Sequence, residues 1–444
     1  MKRIVILGAG ESGVGAAILA QQKGFEVFVS DFSDIKPLYK ALLQQHHIPF
    51  EEKQHTLPLI LSAQEVIKSP GIPENADIIL RLREQHTPVI SEIEFAARYT
   101  KAKMICITGS NGKTTTTSLI FDILRRAGLN VGLAGNIGNS LALQVAQQER
   151  DYYVIELSSF QLDDMYDFRA DIAILLNITP DHLDRYNYEF QNYVDAKLRI
   201  TRNQQSTEAF IYWSEDPVIS REIEKLHPRA TLYPFGLSHG HNMAYTSADT
   251  LTIHIPSHEP LSVPIPELSL KGQHNRLNSM AAGLAAQLLN IRNSVIREAL
   301  TTFEGVPHRL QYVATVRDIR FINDSKATNV NSCWYALESM TTPTVLILGG
   351  KDKGNDYTEI DQLVKEKCRA LVFMGLHNEK LEQHFASFNL PTVSTDNIHD
   401  AVLAAYQAAL PGDTVLLSPC CASFDLFRSY EHRGEMFVKE VQSL

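Results

Sequence analysis

Short β-branched runs, each followed by a glycine-rich or polar turn and then a longer amphipathic segment, recur along the chain. Arg3-Ile4-Val5-Ile6-Leu7 leads through residues 8–15 into an alanine-rich helical pattern that closes at Lys23-Gly24. Glu26-Val27-Phe28-Val29-Ser30 is the next run and ends at Asp31. Runs of the same kind occupy 103–108, 152–156, 172–177, 320–323, 344–348, 370–374 and 414–418. Strands alternating with helices predict parallel sheets covered on both faces, an α/β fold. Residues 255–270, richer in proline and alternating in polarity, predict an antiparallel hairpin excursion. The aromatic positions of 424–430 have helical spacing and predict a mostly buried segment, with Tyr430 toward a site.

Two seams divide this pattern. Near 98–103 an apolar helix gives way to a charged stretch before a new strand, and at 303–308 Glu304-Gly305-Val306-Pro307 closes a long helical block. The expected domains are 1–97, 98–304 and 305–444, and 444 residues suffice for three sheets with their own cores. A composition of 44% hydrophobic and 21% charged residues is that of a globular chain. With 41 basic against 51 acidic residues the net charge is -10, and no basic stripe is present, so nucleic acid is not an expected partner. The apolar runs fall well short of the roughly 18 residues of a membrane span. Met1-Lys2-Arg3 leads straight into a strand-like run without the marks of a signal peptide. Five cysteines, an odd number with no C-x-x-C pair, point to free thiols and a cytoplasmic location. Cys420-Cys421 has the wrong spacing for zinc and reads as a strand end packed with small residues. His239 and His241 read as solvated loop residues.

Two glycine loops carry the chemistry. Gly8-Ala9-Gly10-Glu11-Ser12-Gly13 fits G-x-G-x-x-G between a strand and a helix, with Asp31 where a dinucleotide fold places its ribose-binding acid. Glycines let the backbone approach a pyrophosphate, and the free N–H groups of the helix start supply a positive field. A tight turn whose glycines serve packing alone explains the pattern about equally well. Ser69-Pro70-Gly71, a second small-residue turn after a strand, favours a nucleotide diphosphate, which need not be NAD. Thr108-Gly109-Ser110-Asn111-Gly112-Lys113-Thr114-Thr115 likewise joins a strand to a helix. Its end matches a P-loop: backbone N–H groups wrap phosphates, Lys113 reaches the terminal ones, and Thr114 offers a hydroxyl to Mg2+. The full G-x-x-x-x-G-K-[ST] pattern fails at Ile107, so the loop is shorter than the standard one. Glu156 ends a strand where an acid would meet Mg2+, and Asp181-His182-Leu183-Asp184 follows the next strand. Read alone, His182 is an unusual ligand for Mg2+, and Lys197 is an ordinary solvated helix lysine.

The ordered series 108–115, Glu156-Leu157-Ser158-Ser159, 177–182, Lys197, Gly272-Gln273-His274-Asn275, Pro307-His308-Arg309 and 323–329 resembles the Mur ligase family, ATP-dependent amide-forming enzymes of peptidoglycan precursor synthesis. The resemblance covers essentially the whole chain, and the shortened P-loop is that family's own form. Asn323-Asp324-Ser325-Lys326-Ala327-Thr328-Asn329, Gly349-Gly350-Lys351-Asp352-Lys353 and Ser418-Pro419-Cys420-Cys421-Ala422-Ser423 are similar to its D-glutamate-adding branch.

The resemblance implies a Rossmann-like first domain for the UDP end of the substrate, a central P-loop domain for ATP, and a Rossmann-like last domain for the amino acid. It implies ATP contacts from Gly109, Ser110, Asn111, Gly112, Lys113, Thr114 and Thr115, with Asn275 on the adenine side, Arg309 toward the terminal phosphate and Asp324 at the ribose. Two Mg2+ ions are implied at Thr114, Glu156, His182 and Lys197, the last as a lysine carbamylated by CO2. Lys113, Lys197, His182 and Arg309 take the catalytic roles. Gly10, Glu11, Ser12, Asp31, Ser69, Gly71, Asn136 and His182 are implied for UDP-N-acetylmuramoyl-L-alanine, Glu11 through its backbone N–H alone. Lys326, Thr328, Lys353, Ser423 and Tyr430 are implied for D-glutamate, the two lysines matching a dicarboxylate. A cytoplasmic monomer in cell-wall synthesis, with small-molecule partners only, is the corresponding expectation. Other readings of the residues are a nicotinamide-dependent dehydrogenase built on the first glycine loop, a nucleotide-binding switch without amide chemistry, and a sister ligase that adds another amino acid.

Overall fold

The structure is a computed structural model and describes residues 2–256 and 258–444. Among these residues the strands form three sheets. The first contains β1 (Arg3–Leu7), β2 (Glu26–Ser30), β3 (Phe50–Glu51), β4 (Glu65–Lys68) and β5 (Val89–Ile90), in the order β3-β2-β1-β4-β5 and parallel throughout. Ile4, Val5, Ile6 and Leu7 are all fully buried, because helices cover both faces of this central strand.

The second sheet contains β6 (Lys103–Thr108), β7 (Val131–Gly135), β8 (Tyr152–Glu156), β9 (Ile172–Leu175), β10 (Ala209–Trp213), β11 (Thr231–Phe235), β12 (Ala244–Ser247), β13 (Thr250–Ile253) and β14 (Leu261–Pro264). Its order is β14-β13-β12-β11-β10-β9-β6-β8-β7, and β12-β13-β14 form an antiparallel meander at one edge. That meander corrects the hairpin expected over 255–270. It starts at Ala244, only β14 falls within the expected range, and the chain then enters the 3-10 turn Ile265–Glu267. Strand signal lies where Leu251 and Ile253 alternate inward rather than where the prolines cluster. Ser257, within the expected hairpin, lies outside the described residues.

The third sheet contains β15 (Gln311–Val316), β16 (Ile319–Asn323), β17 (Thr344–Gly349), β18 (Cys368–Met374), β19 (Thr392–Thr395) and β20 (Thr414–Cys420), ordered β15-β16-β20-β17-β18-β19. Only β15 runs antiparallel to its neighbour. The packing separates two compact units. One comprises residues up to Leu268 with Leu277–Phe303 and holds the first two sheets. The other comprises Ser269–Arg276 with Glu304–Leu444 and holds the third.

The aromatic stretch after Ser423 is a second correction. Residues 424–429 form turns, Phe424 is 69% exposed, and the helix begins at Tyr430. Ser429 is extended and its hydroxyl accepts from His432 N, which sets the helix start there. Cys420 closes β20 and Cys421 follows it, both buried, and burial pushes the Cys421 thiol up to about 11. His239 and His241 are exposed. Among the described residues no helix is long and apolar enough to cross a membrane.

Candidate functional site

In the first sheet β1 and β4 lie side by side, and the turns that leave their C-terminal ends face one crevice. Gly8 has φ +92°, and a Cβ there would lie 2.4 Å from Ser69 Oγ, so the two turns touch. The helix Glu11–Gln22 follows with no side-chain cap at Gly10, which leaves its first N–H groups for an anion. Asp31 holds the loop: its Oδ2 accepts from Ala9 N at 2.6 Å and its Oδ1 from Ser33 N at 2.8 Å. Glu11 does more than the backbone role expected of it, since its Oε1 accepts from Ser140 N at 3.0 Å and ties the first loop to the one after β7. Ser12 and Ser69 are half-buried in this crevice, and Gly10 and Gly71 are exposed.

The second glycine loop leaves the central strand β6. Gly112 is left-handed at φ +83°, and a Cβ there would meet Asn278 Oδ1 at 2.3 Å, so only glycine allows the approach. Asn177, after β9, clamps the loop by accepting from Asn111 N at 2.8 Å and donating to Asn111 O at 3.1 Å. Ser110 N donates to Asn177 O, and Ser110 Oγ is within 3.1 Å of Tyr193 Oη. Thr114 and Thr115 are buried in the first turn of the helix Lys113–Arg126. Lys113 Nζ donates to Gly109 O at 2.7 Å and to Ser110 O at 2.8 Å.

Lys197 is not the solvated residue that its helix position suggests. It is 1% exposed, sits 4.5 Å from the Tyr193 ring centroid, and donates to the same Gly109 O at 2.8 Å. Burial first, and the charge of Lys113 second, hold its amine well below the usual lysine range, against the pull of Asp181 and Glu156.

Glu156, at the end of β8, is buried and accepts from Asn136 Nδ2 at 2.9 Å through Oε1. Its Oε2 is buried with no hydrogen-bond partner. An orphaned carboxylate oxygen at a sheet edge fits a hard divalent cation. Among the described residues no three His, Cys, Asp or Glu side chains gather into a ready metal cage. His182 lies on the loop after β9 at φ +52°, with its side chain 41% exposed and Nε2 3.6 Å from Asp181 Oδ2.

In the second unit Asn275 is buried and donates through Nδ2 to Lys271 O at 2.8 Å. The neighbouring His274 ring lies 5.2 Å from that of Tyr335, and burial, helped by the charge of Arg309, brings it down to about 4. Asp324 is buried at the end of β16, where its carboxylate accepts from Leu310 N at 3.2 Å and from Ser418 Oγ at 3.0 Å. Burial pushes it up to about 7, against the half-buried Arg309. Lys326 Nζ stands 3.8 Å over the Tyr430 ring, Ser423 is buried, Thr328 is half-buried, and Lys353 is exposed on the loop after β17. Arg433, which the sequence reading passed over, is fully buried and ties Ser325 O to Cys421 O, at 2.9 and 3.2 Å. Its only sequence signal is a basic residue at a helix position that turns out to face inward.

Three family models match the chain in order: the MurD N-terminal domain over residues 3–78, the Mur ligase middle domain over 107–286, and the Mur ligase glutamate ligase domain over 308–421. The UDP-N-acetylmuramoylalanine–D-glutamate ligase of Bacteroides fragilis is 65% identical over 446 residues, covering 100% of both chains. That of Porphyromonas gingivalis is 56% identical over 443 residues, covering 99% of this chain and 98% of its own. Among solved structures, the UDP-N-acetylmuramate–alanine ligase of Thermotoga maritima superposes with a TM-score of 0.63 at 19% identity, over 100% of this chain and 99% of its own. At that identity the likeness speaks to the three-domain α/β fold.

Proposed function

Because the chain belongs to the Mur ligase family and is matched end to end by D-glutamate ligases, we propose that it joins D-glutamate to UDP-N-acetylmuramoyl-L-alanine at the expense of ATP, a step of peptidoglycan precursor synthesis. The full-length 65% identity carries this reading. We take the enzyme to act as a cytoplasmic monomer on small molecules.

A carboxylate is a poor electrophile, so the reaction needs activation. The L-alanyl carboxylate oxygen attacks the γ-phosphorus of ATP, the bond to ADP breaks, and an acyl phosphate forms. The amine of D-glutamate then attacks the acyl carbon, loses a proton from the tetrahedral intermediate, and phosphate leaves. The 109–115 loop wraps the phosphates with its N–H groups, and Lys113 exchanges its loop carbonyls for phosphate oxygens as negative charge moves to ADP. Thr114, Glu156, His182 and Lys197 would hold two Mg2+ ions, which when bound neutralise phosphate charge. Lys197 suits carbamylation: its neutral nitrogen bonds to the carbon of CO2, a proton leaves to solvent, and an anion replaces a neutral amine beside Lys113. Asn275, Arg309 and Asp324 serve the adenine, terminal phosphate and ribose. Gly10, Glu11, Ser12, Asp31, Ser69, Gly71 and Asn136 serve the UDP-sugar, and Lys326, Thr328, Lys353, Ser423 and Tyr430 the D-glutamate.

The test is product mass after incubation with ATP, Mg2+, UDP-N-acetylmuramoyl-L-alanine and either glutamate enantiomer. An amide with D-glutamate alone is expected. An amide only with a different amino acid would make this a sister ligase, and no amide at all would overturn the reading.

A further inference from the structure

The turn at Ser69–Ile72 has a cation beside it that none of the substrate contacts above uses. Ile72 N donates to Ser69 O at 3.1 Å, and a Cβ on Gly8 would lie 2.4 Å from Ser69 Oγ and 3.9 Å from Ile72 Cδ1, so this turn and the first glycine loop form one wall. The side chains that the wall supplies are acidic or neutral: Glu11, Ser12, Asp31 and Ser69. Lys68, just before the turn, is 1% exposed and already compensated by Glu74 at 2.6 Å and Asp164 at 2.9 Å.

Arg185 is different. It lies three residues after His182 in the 3-10 turn Leu183–Tyr186, half-buried, with its guanidinium carbon 4.4 Å from the Phe160 ring centroid. Nη2 approaches Pro70 O and Ile72 O, each at the long distance of 3.4 Å. Among the described residues no carboxylate pairs with this guanidinium, and its Nε and Nη1 have no protein acceptor.

We infer that Arg185 is a substrate-binding residue whose guanidinium pairs with the diphosphate of the UDP-sugar between the 8–13 and 69–72 turns; the inference rests on the proposed placement of UDP there. A diphosphate diester brings two negative charges. Backbone N–H groups solvate these charges without neutralising them, and the carboxylates of Glu11 and Asp31 sharpen the need for a cation. A planar guanidinium can grip phosphate oxygens through two parallel N–H bonds. Its place over the Phe160 ring holds the guanidinium beside the turn and leaves Nε and Nη1 for those bonds. The two 3.4 Å carbonyl contacts are weak enough to be exchanged for shorter, charge-assisted ones. The ring of Phe160 also lies 5.2 Å from that of His182, so one aromatic side chain supports both residues.

The test is calorimetric titration of the full-length enzyme with UDP, for wild type, Arg185→Met and Arg185→Lys, together with KM for UDP-N-acetylmuramoyl-L-alanine and for ATP. Methionine keeps the packing on Phe160 and removes the charge. UDP affinity should fall about ten- to a hundredfold in Arg185→Met, with a matching rise in the sugar-nucleotide KM, while the KM for ATP and the melting temperature stay put. Lysine should restore part of the affinity, as a point charge without the planar fork. Unchanged UDP affinity in Arg185→Met would overturn the inference, as would a loss shared equally by ATP and by thermal stability, which would make Arg185 a prop for Phe160. Failure of the wild type to bind UDP would overturn the placement of UDP itself, and the inference with it.

Discussion

Replacing Lys197 by alanine probes the pair of amines at the P-loop. Lys113 Nζ and Lys197 Nζ reach the same Gly109 O at 2.7 and 2.8 Å, so the two nitrogens stand no more than about 5.5 Å apart. Two positive charges at that separation repel by roughly 3 kcal/mol at an effective dielectric of about 20. Burial adds a desolvation penalty to the charged form of Lys197. Both effects favour the neutral amine, which is the form that adds CO2. A carbamate there reverses the sign, and the same separation then gives an attraction of similar size to Lys113. Loss of one preorganised charge contact at a transferring phosphoryl group costs about 2.7–4 kcal/mol of barrier, so Lys197→Ala should lower turnover about a hundred- to a thousandfold. The assay is coupled phosphate release with and without formate or acetate, alongside carbon-13 NMR of the wild type in labelled bicarbonate. Partial rescue by the short carboxylates and a carbamate resonance absent from the variant are expected. Near-normal turnover in Lys197→Ala, or no rescue together with no resonance, would refute the reasoning.

Glu156→Gln keeps an acceptor for Asn136 but removes the charge beside the orphaned oxygen, so turnover should fall on the order of a hundredfold. A Mg2+ titration of phosphate release should shift to higher concentration, and an unshifted curve would contradict the metal role. Asp324 is pushed up to about 7 by burial. Its native carboxyl therefore keeps a proton that the unfolded chain has released above about 3.9, and stability falls as pH rises between those values. Asp324→Asn should accordingly gain stability over the wild type from about pH 4 upward and level off above about pH 7, as melting curves across pH would show; a pH-independent difference would count against it. Asp31→Ala releases Ala9 N and loosens the first glycine loop. The KM for the UDP-sugar should rise roughly tenfold, as for loss of a charge-assisted hydrogen bond, with the KM for ATP unchanged. A parallel rise in both would point to general unfolding.

Much of this architecture is legible in local pattern. Runs such as Arg3–Leu7 and Lys103–Thr108 are short and largely apolar, lead into a glycine turn, and become central parallel strands whose C-terminal ends carry the two loops. What escapes is whatever depends on a distant partner. Lys197 lies four residues after Tyr193 on one face of a nine-residue helix, and nothing in that spacing says the face turns inward under Gly109. Glu11 meets Ser140, and Arg185 meets Pro70, across more than a hundred residues of chain. The 424–430 aromatics have helical spacing, yet the stretch before Tyr430 is spent on turns, with Asp425 accepting from Leu376 N. A G-x-G-x-x-G loop describes a way of approaching phosphate and does not name the ligand. The nicotinamide reading was open for that reason, and it falls because the chain belongs to the Mur ligase family.

The central claim is amide formation driven by ATP from two named substrates. Phosphate release from ATP and Mg2+, with UDP-N-acetylmuramoyl-L-alanine and D-glutamate omitted one at a time, tests it most directly. Sustained release is expected only when both are present. Sustained release with either one missing, or none with both, would contradict it.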